Sequence, residues 1–268
     1  MKTTQSALQT GRHDRAVGVN LWDYTISFIS RIDRIMEHYH HCYKVTITLD
    51  NTFDCEIDGQ QFSGIRGFIV NQSVTHACFA PGANVLVNFI EADSFWGWQI
   101  KSLLGDRPFL NINEVMEEDA IGTVLPANYN ELSDELLVPY VNDFLNSLFV
   151  AEPSINCNVV DERIGQALKY IDENLNLHIE LEDIGSILEL SPGRLRHLFA
   201  EQMGIPFSQY ILWKRMRNTL RAAILDEDTL TQACHRFGFA DQPHFNRSFR
   251  RFFGMKPRLL INYSRILL

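Results

Sequence analysis

The sequence predicts a two-domain protein of mixed class, a small β-barrel or sandwich with following helices and then an all-α domain. Three observations carry this. From about Ile26 to Glu91 the chain runs in short segments rich in β-branched and aromatic residues, separated by turn signals. From about Asn130 the apolar residues recur every three or four positions instead. The C-terminal region contains a degenerate internal repeat whose copies each read as two short helices joined by a turn.

The strand segments are TISFIS, YKVTITLD, TFDCEI, GFIVN and VLVNFIE. Asp58-Gly59, between the strand ending at Ile57 and the one holding Phe62, is a two-residue hairpin turn. Next comes an apolar stripe of Leu132, Leu136, Leu137, Tyr140, Val141, Phe144, Leu145 and Leu148. Pro139 falls within it and predicts two helices rather than one. The stripe is either a dimer helix or a face packed on its own barrel. Residues 1–150 form the first domain, the polar stretch 151–159 a linker, and 160–268 the second domain. In that second domain Ile164, Leu168, Ile171 and Leu175 share one helix face.

The repeat aligns Leu181 with Leu230, Ile184 with Ala233, Gly185 with Cys234 and Leu188 with Phe237. After one inserted residue, Ser191 pairs with Asp241, Leu195 with Phe245, Phe199 with Phe249 and Gly204 with Gly254. Ser191 and Asp241 are N-caps, and the glycines end the second helices. Ser208 to Leu225 reads as one long helix holding the two units apart.

The chain has 268 residues, 46% hydrophobic and 21% charged, enough to bury a core. Its formal charge of −9 conceals a gradient. Residues 1–156 carry 9 basic and 20 acidic side chains, a net of −11, whereas the stretch from Leu190 carries 13 and 5, a net of +8. Eleven of those thirteen are arginine, which suits phosphate and guanine. Such asymmetry points to a nucleic-acid-binding end. The five cysteines form no CxxC pair, so reduced thiols in a cytoplasmic protein are expected. No apolar run is long enough to span a bilayer, and the N-terminal MKTTQSALQTGRHDR does not read as a secretory signal. No GxSxG, GxGxxG or P-loop is present, and no nucleophilic triad is legible, so the protein is not expected to be an enzyme.

In a helix-turn-helix the second helix enters the major groove. With Leu195, Leu198 and Phe199 facing the core, the first such helix shows Gly193, Arg194, Arg196 and His197. With Phe245, Phe249 and Phe252 inward, the second shows Gln242, His244, Asn246, Arg247 and Arg250. Arg, Gln, His and Asn are the side chains that read base edges. Lys214, Arg215, Arg217 and Arg221 on the linker helix read as a phosphate clamp and salt-bridge surface.

Residues 160–268 resemble the AraC/XylS-type transcription regulators. The resemblance rests on LEDIGSILELSPGRLRHLFAEQMGIPFSQYI, on KRMRNTLRAAIL, and on GFADQPHFNRSFRRFFGMKPRLL, which matches the family signature at every fixed position. It implies DNA contacts at Gly193, Arg196 and His197 in the first unit and at Gln242, His244 and Arg247 in the second. The N-terminal half is similar to the family's partner domain, a cupin-like barrel for effector binding or dimerisation, through HYHHCYKVTITLD and GFIVNQSVTHACFAPG. Metal-binding cupins carry H-x-H, a glutamate soon after and a later histidine. Here His38, His40 and His76 fit the histidines, but Lys44 stands where the glutamate would be. A lysine repels a cation, so no metal and no cofactor are expected, and His38, His40, Lys44 and His76 become candidate effector residues. Lys44 would suit an anionic effector.

The resemblance therefore implies a sequence-specific DNA-binding transcription regulator, more often an activator in this family, answering to a small molecule. Its expected partners are double-stranded DNA, a second copy of itself and, for an activator, RNA polymerase. The competing reading is a metal-dependent cupin enzyme with a helical appendage.

Overall fold

The computed structural model describes residues 19–22, 25–31, 33–149, 161–225 and 228–258. The N-terminal segment and the 151–159 linker named above lie outside them. Ten strands come first: β1 (Val19–Trp22), β2 (Thr25–Ser30), β3 (Arg34–His38), β4 (Tyr43–Thr48), β5 (Phe53–Ile57), β6 (Gln60–Ile65), β7 (Gly67–Val70), β8 (His76–Phe79), β9 (Val85–Ile90) and, after helix α1 (Phe95–Leu104), β10 (Phe109–Asn111). Two short helices follow, α2 (Glu118–Ile121) and the longer α3 (Asp134–Ser147). The helical half holds α4 (Glu162–Asn174), α5 (Leu181–Ile187), α6 (Pro192–Met203), α7 (Phe207–Leu225), α8 (Leu230–Arg236) and α9 (Gln242–Phe253).

The strands pair antiparallel into two sheets, β1-β2-β9-β4-β7-β10 and β3-β8-β5-β6. In the larger sheet β2, β4, β7 and β9 are buried along their whole length. That explains why those segments read as nearly continuous apolar runs, since both faces are covered. Val45, Ile47, Ile69 and Leu86 pack outward against α1, α3 and α4–α6, while Phe28, Phe68, Val87 and Phe89 face the barrel interior. The smaller sheet alternates, Phe53, Cys55 and Ile57 inward and Asp54 exposed, because its outer face meets solvent. Asp58 (φ 51°) and Gly59 (φ 74°) both adopt positive φ, as a type I′ hairpin requires.

One expectation is corrected. Pro139 does not split the apolar stripe, because α3 runs through it as one helix. The bond it removes would have gone to the carbonyl of Glu135, an exposed residue near the helix start, where water can take over. Leu137, Val141, Phe144, Leu145 and Leu148 bury against the barrel and helices, so most of the stripe packs on its own chain. Leu136 and Tyr140 stay exposed.

The helical half packs directly on the barrel. Trp213, Met216, Phe249, Phe252, Phe253 and Met255 share one apolar cluster with the barrel interior. Ile164, Leu195, Phe199 and Tyr210 share another with its outer face. Among the described residues no helix is long and apolar enough to cross a membrane.

Candidate DNA interface and barrel site

Each helix-turn-helix is built by the same local chemistry. The Ser191 hydroxyl accepts from Arg194 N at 3.3 Å, and the Asp241 carboxylate accepts from His244 N at 2.6 Å. A proline sits in the first turn of both α6 and α9, where its missing N–H has no intrahelical role. Gly204 (φ 74°) and Gly254 (φ 65°) end the two helices in the left-handed conformation. The turns match too: Leu190 N donates to Gly185 O and Phe239 N to Cys234 O, each at 2.9 Å. A Cβ on Gly185 would lie 2.6 Å from Leu190 O, so a larger residue there would force the first turn to shift.

On α6, Leu195, Leu198 and Phe199 are buried, and Gly193, Arg194, Arg196 and His197 are exposed. On α9, Phe245, Phe249, Phe252 and Phe253 are buried, Asn246, Arg247 and Arg250 are exposed, and Gln242 and His244 are half-buried. The same polar phase thus faces solvent on both helices. Their C-terminal ends face the other way. Gly204 abuts Gln72, and Gly254 abuts Ile35, Met36 and His38 of the barrel.

The linker helix α7 keeps the salt-bridge half of its expected role and loses the phosphate-clamp half at two residues. Lys214 and Arg217 are buried, so they are not a phosphate-facing surface in this conformation. Both reach Glu91, which follows β9 and is itself 1% exposed. Trp213 Nε1 and Arg217 Nη1 donate to Glu91 Oε1 at 3.1 and 2.7 Å, and Lys214 Nζ donates to Oε2 at 3.2 Å. Lys214 also lies 3.0 Å from Asp172, and the Tyr210 hydroxyl donates to Asp93 at 2.6 Å. Burial opposes the Glu91 charge, but Arg217 and Lys214 outweigh it and hold its pKa below the usual carboxylate range. Asp93 goes the other way, pushed up to about 6 by burial and by Glu91. Arg215 braces the helices, donating to Leu177 O at 2.6 Å. Nothing in the charge pattern distinguished these roles; the available signal was a pair of carboxylates, Glu91 and Asp93, directly after a mostly apolar strand.

In the barrel the sheet register brings the four candidate effector residues together. His38 and His76 are cross-strand partners on β3 and β8, and Lys44 lies on the inner face of β4. All four are buried. The ring centroids of His38 and His40 lie 4.2 and 4.9 Å from that of His76. Each imidazole has Nδ1 at 2.8–2.9 Å from a backbone carbonyl, of Met36, Cys42 and Val74 respectively. Nδ1 therefore carries the proton, and Nε2 presents a lone pair. Lys44 Nζ donates to His76 Nε2 at 3.2 Å. Burial first, then the Lys44 charge, pushes His38 down to about 3 and His40 and His76 well below their ordinary range; burial lowers Lys44 as well. Beside Lys44 is a cavity of about 30 Å³, lined by Phe28, Phe53, Cys78, Val87, Phe89 and Met255 among others. Met255 directly follows the cap of α9.

A helix-turn-helix domain family matches residues 184–262. The probable transcriptional regulator LumQ of Photobacterium leiognathi is 26% identical over 196 residues, covering 67% of this chain and 79% of LumQ. The arabinose operon regulatory protein of Salmonella typhimurium is 30% identical over 102 residues, covering 37% of this chain and 35% of that protein. In fold, the chain is similar to the crystal structure of ToxT from Vibrio cholerae, with a TM-score of 0.58 at 17% identity over 90% of this chain and 98% of ToxT. ToxT has also been solved with an unsaturated fatty acid and with (E)-4-(8-methylnaphthalen-1-yl)but-3-enoic acid bound. Two capped helix-turn-helix units beneath a β-rich N-terminal half define a sequence-specific DNA-binding transcription regulator. Within that class, the helical half is similar to the AraC/XylS-type regulators.

Proposed function

We propose that this regulator is an effector-responsive activator whose α6 and α9 enter successive major-groove segments. Gly193, Arg196 and His197 contact DNA in the first unit, and Gln242, His244 and Arg247 in the second. Gly193 brings only backbone, so Arg196 and His197 do the base reading there. The observation that carries this is the shared phase: both helices expose the same polar face near their capped N-termini, where groove contacts are made. The test is selection of bound sites from random DNA, followed by substitution. Arg196→Ala and Arg247→Ala should each weaken specific binding by about 1–3 kcal/mol and relax preference at particular base pairs. Unchanged site preference in both variants would overturn the groove assignment.

The effector in this reading is a small, largely apolar molecule with an anionic head, received by the barrel with Lys44 as counter-charge and His38, His40 and His76 around it. The acids bound to ToxT support that class of ligand, as does an apolar cavity lined by one amine. A volume of about 30 Å³ holds little more than a water. A larger guest needs the lining to yield, and Met255, one residue past the cap of α9, belongs to that lining. That couples the barrel to the second DNA-reading helix. Lys44→Glu should therefore alter regulation in cells without removing the DNA-binding surface, and intact regulation in that variant would refute the anion assignment.

The same reading makes the protein a cytoplasmic non-enzyme that acts as a homodimer and meets RNA polymerase at its promoters. Leu136 and Tyr140, one turn apart and exposed on α3, supply an apolar patch for self-association.

A further inference from the structure

A glutamine that reads a base edge is a flexible tool: a free amide samples several rotamers and both orientations of its ends. Gln242 is not free. Thr231, an exposed residue in the first turn of α8, donates its hydroxyl to Gln242 Oε1 at 3.2 Å. That turn is itself fixed by a reciprocal cap. The Thr229 hydroxyl accepts from Gln232 N at 3.3 Å, and Gln232 Oε1 accepts from Thr229 N at 2.8 Å. Gln242 lines an open groove of about 400 Å³ in which Arg247, Arg250, Lys256 and Arg258 stand and no carboxylate does, among the described residues. The next polar side chain is braced as well, the His244 ring standing edge-on to the buried Phe239 with centroids 5.4 Å apart. The first unit has no counterpart. Counting from the Leu181–Leu230 and Ser191–Asp241 pairs, Glu182 takes the place of Thr231 and Pro192 that of Gln242.

We propose that Thr231 is a specificity-determining positioning residue, whose hydroxyl holds the Gln242 amide in the pose that reads one base pair. The inference rests on the reading of α9 as the groove-entering helix of the second unit. Thr231 takes one lone pair of Oε1 and so fixes which end of the amide is the acceptor and which the donor. Ordering one rotamer-rich side chain on binding weakens a complex by about three- to tenfold. Here that ordering is done on folding instead. The gain appears only where a base edge matches the held amide, because a mismatched base meets a side chain that does not turn to suit it. The hydroxyl therefore acts on preference at one position rather than on affinity for DNA in general.

The test uses the full chain and the sites it selects from random DNA. Gln242→Ala first marks the base pair that Gln242 reads, as the position where preference is lost. Thr231→Val keeps the side-chain shape and removes the hydroxyl. It should reduce discrimination at that same base pair by about three- to tenfold, leaving the other positions and the affinity for unrelated DNA as they were. Thr231→Ser, which restores the hydroxyl, should return the preference. In the Gln242→Ala background, Thr231→Val should change nothing further. Unchanged preference in Thr231→Val overturns the proposal. So does a loss spread evenly over all positions and unrelated DNA, which is what a purely structural role would give. If Gln242→Ala alters no position while Arg196→Ala and Arg247→Ala do, the proposal falls and the groove assignment stands. If none of the three alters any position, both fall.

Discussion

Replacing Glu91 should loosen the helical half from the barrel more than any other single side-chain change. The carboxylate is 1% exposed and accepts from three α7 side chains at 2.7–3.2 Å. In Glu91→Ala, Arg217 loses a buried counter-charge and Trp213 Nε1 loses its acceptor, whereas Lys214 keeps Asp172 at 3.0 Å. Breaking one side of a buried ion pair costs about 3–5 kcal/mol. Since Lys214 keeps Asp172 and Arg217 keeps a further contact, the lower end, about 3 kcal/mol, is expected, or roughly a hundredfold in the docking equilibrium. Amide hydrogen exchange reads this directly: protection of β9 and of the face of α7 turned toward it should fall together, while β5–β8 remains protected. A cycle with Arg217→Met should show strong coupling, because the two side chains contact each other directly at 2.7 Å. If Glu91→Ala shifts stability by less than about 1 kcal/mol and leaves exchange unchanged, the network is not what holds the two halves together.

Two further predictions use the caps and the charges. Gly254→Ala should be much more disruptive than Gly204→Ala in denaturant unfolding. Both incur the left-handed penalty of about 1–2 kcal/mol, but the new Cβ at 254 meets Met36 O at 2.9 Å and Ile35 and His38 atoms at 2.8 Å, whereas at 204 it meets only the end of the flexible Gln72 side chain. Asp93 titrates near 6 when folded against an ordinary value of 3.8, so the folded state holds the extra proton between those values. Its contribution is most favourable below about pH 4 and declines by about 3 kcal/mol as the pH rises through 6. The buried histidines act oppositely, losing stability on acidification below 6.5, so the measurement is the difference between wild type and Asp93→Asn across pH 4–7. Parallel pH curves for the two proteins would refute it.

The helix-turn-helix units were legible in the sequence because local signals specify them. Ser191 and Asp241 cap their helices, Gly204 and Gly254 supply positive φ, and the three- and four-residue spacing of Leu195, Phe199, Phe245 and Phe249 sets the buried face. The strands with a continuous apolar run were legible too. Those that alternate weakly, β3 and β8, entered the sequence reading through their histidines rather than their periodicity. Pro139 misled because a proline's effect depends on whether the orphaned carbonyl can reach water, and sequence does not show that.

The cationic face of α7 was misread for a deeper reason. Tyr210, Trp213, Lys214, Arg217 and Leu220 lie at i, i+3, i+4, i+7 and i+10, one stripe of aromatic and basic residues, and every member of it is buried. A basic stripe beside DNA-reading helices looks like a phosphate contact, yet its counter-charge, Glu91, lies 123 residues from Lys214 in the chain. Only the docked structure brings the two together. The consequence is mechanical. The helix that joins α6 to the second unit is fastened to the end of β9, and Met255 at the foot of α9 lines the cavity beside Lys44. In the reading proposed above, a molecule entering that cavity, or a change at Glu91, would act on the separation and tilt of α6 and α9 without touching a DNA-facing side chain.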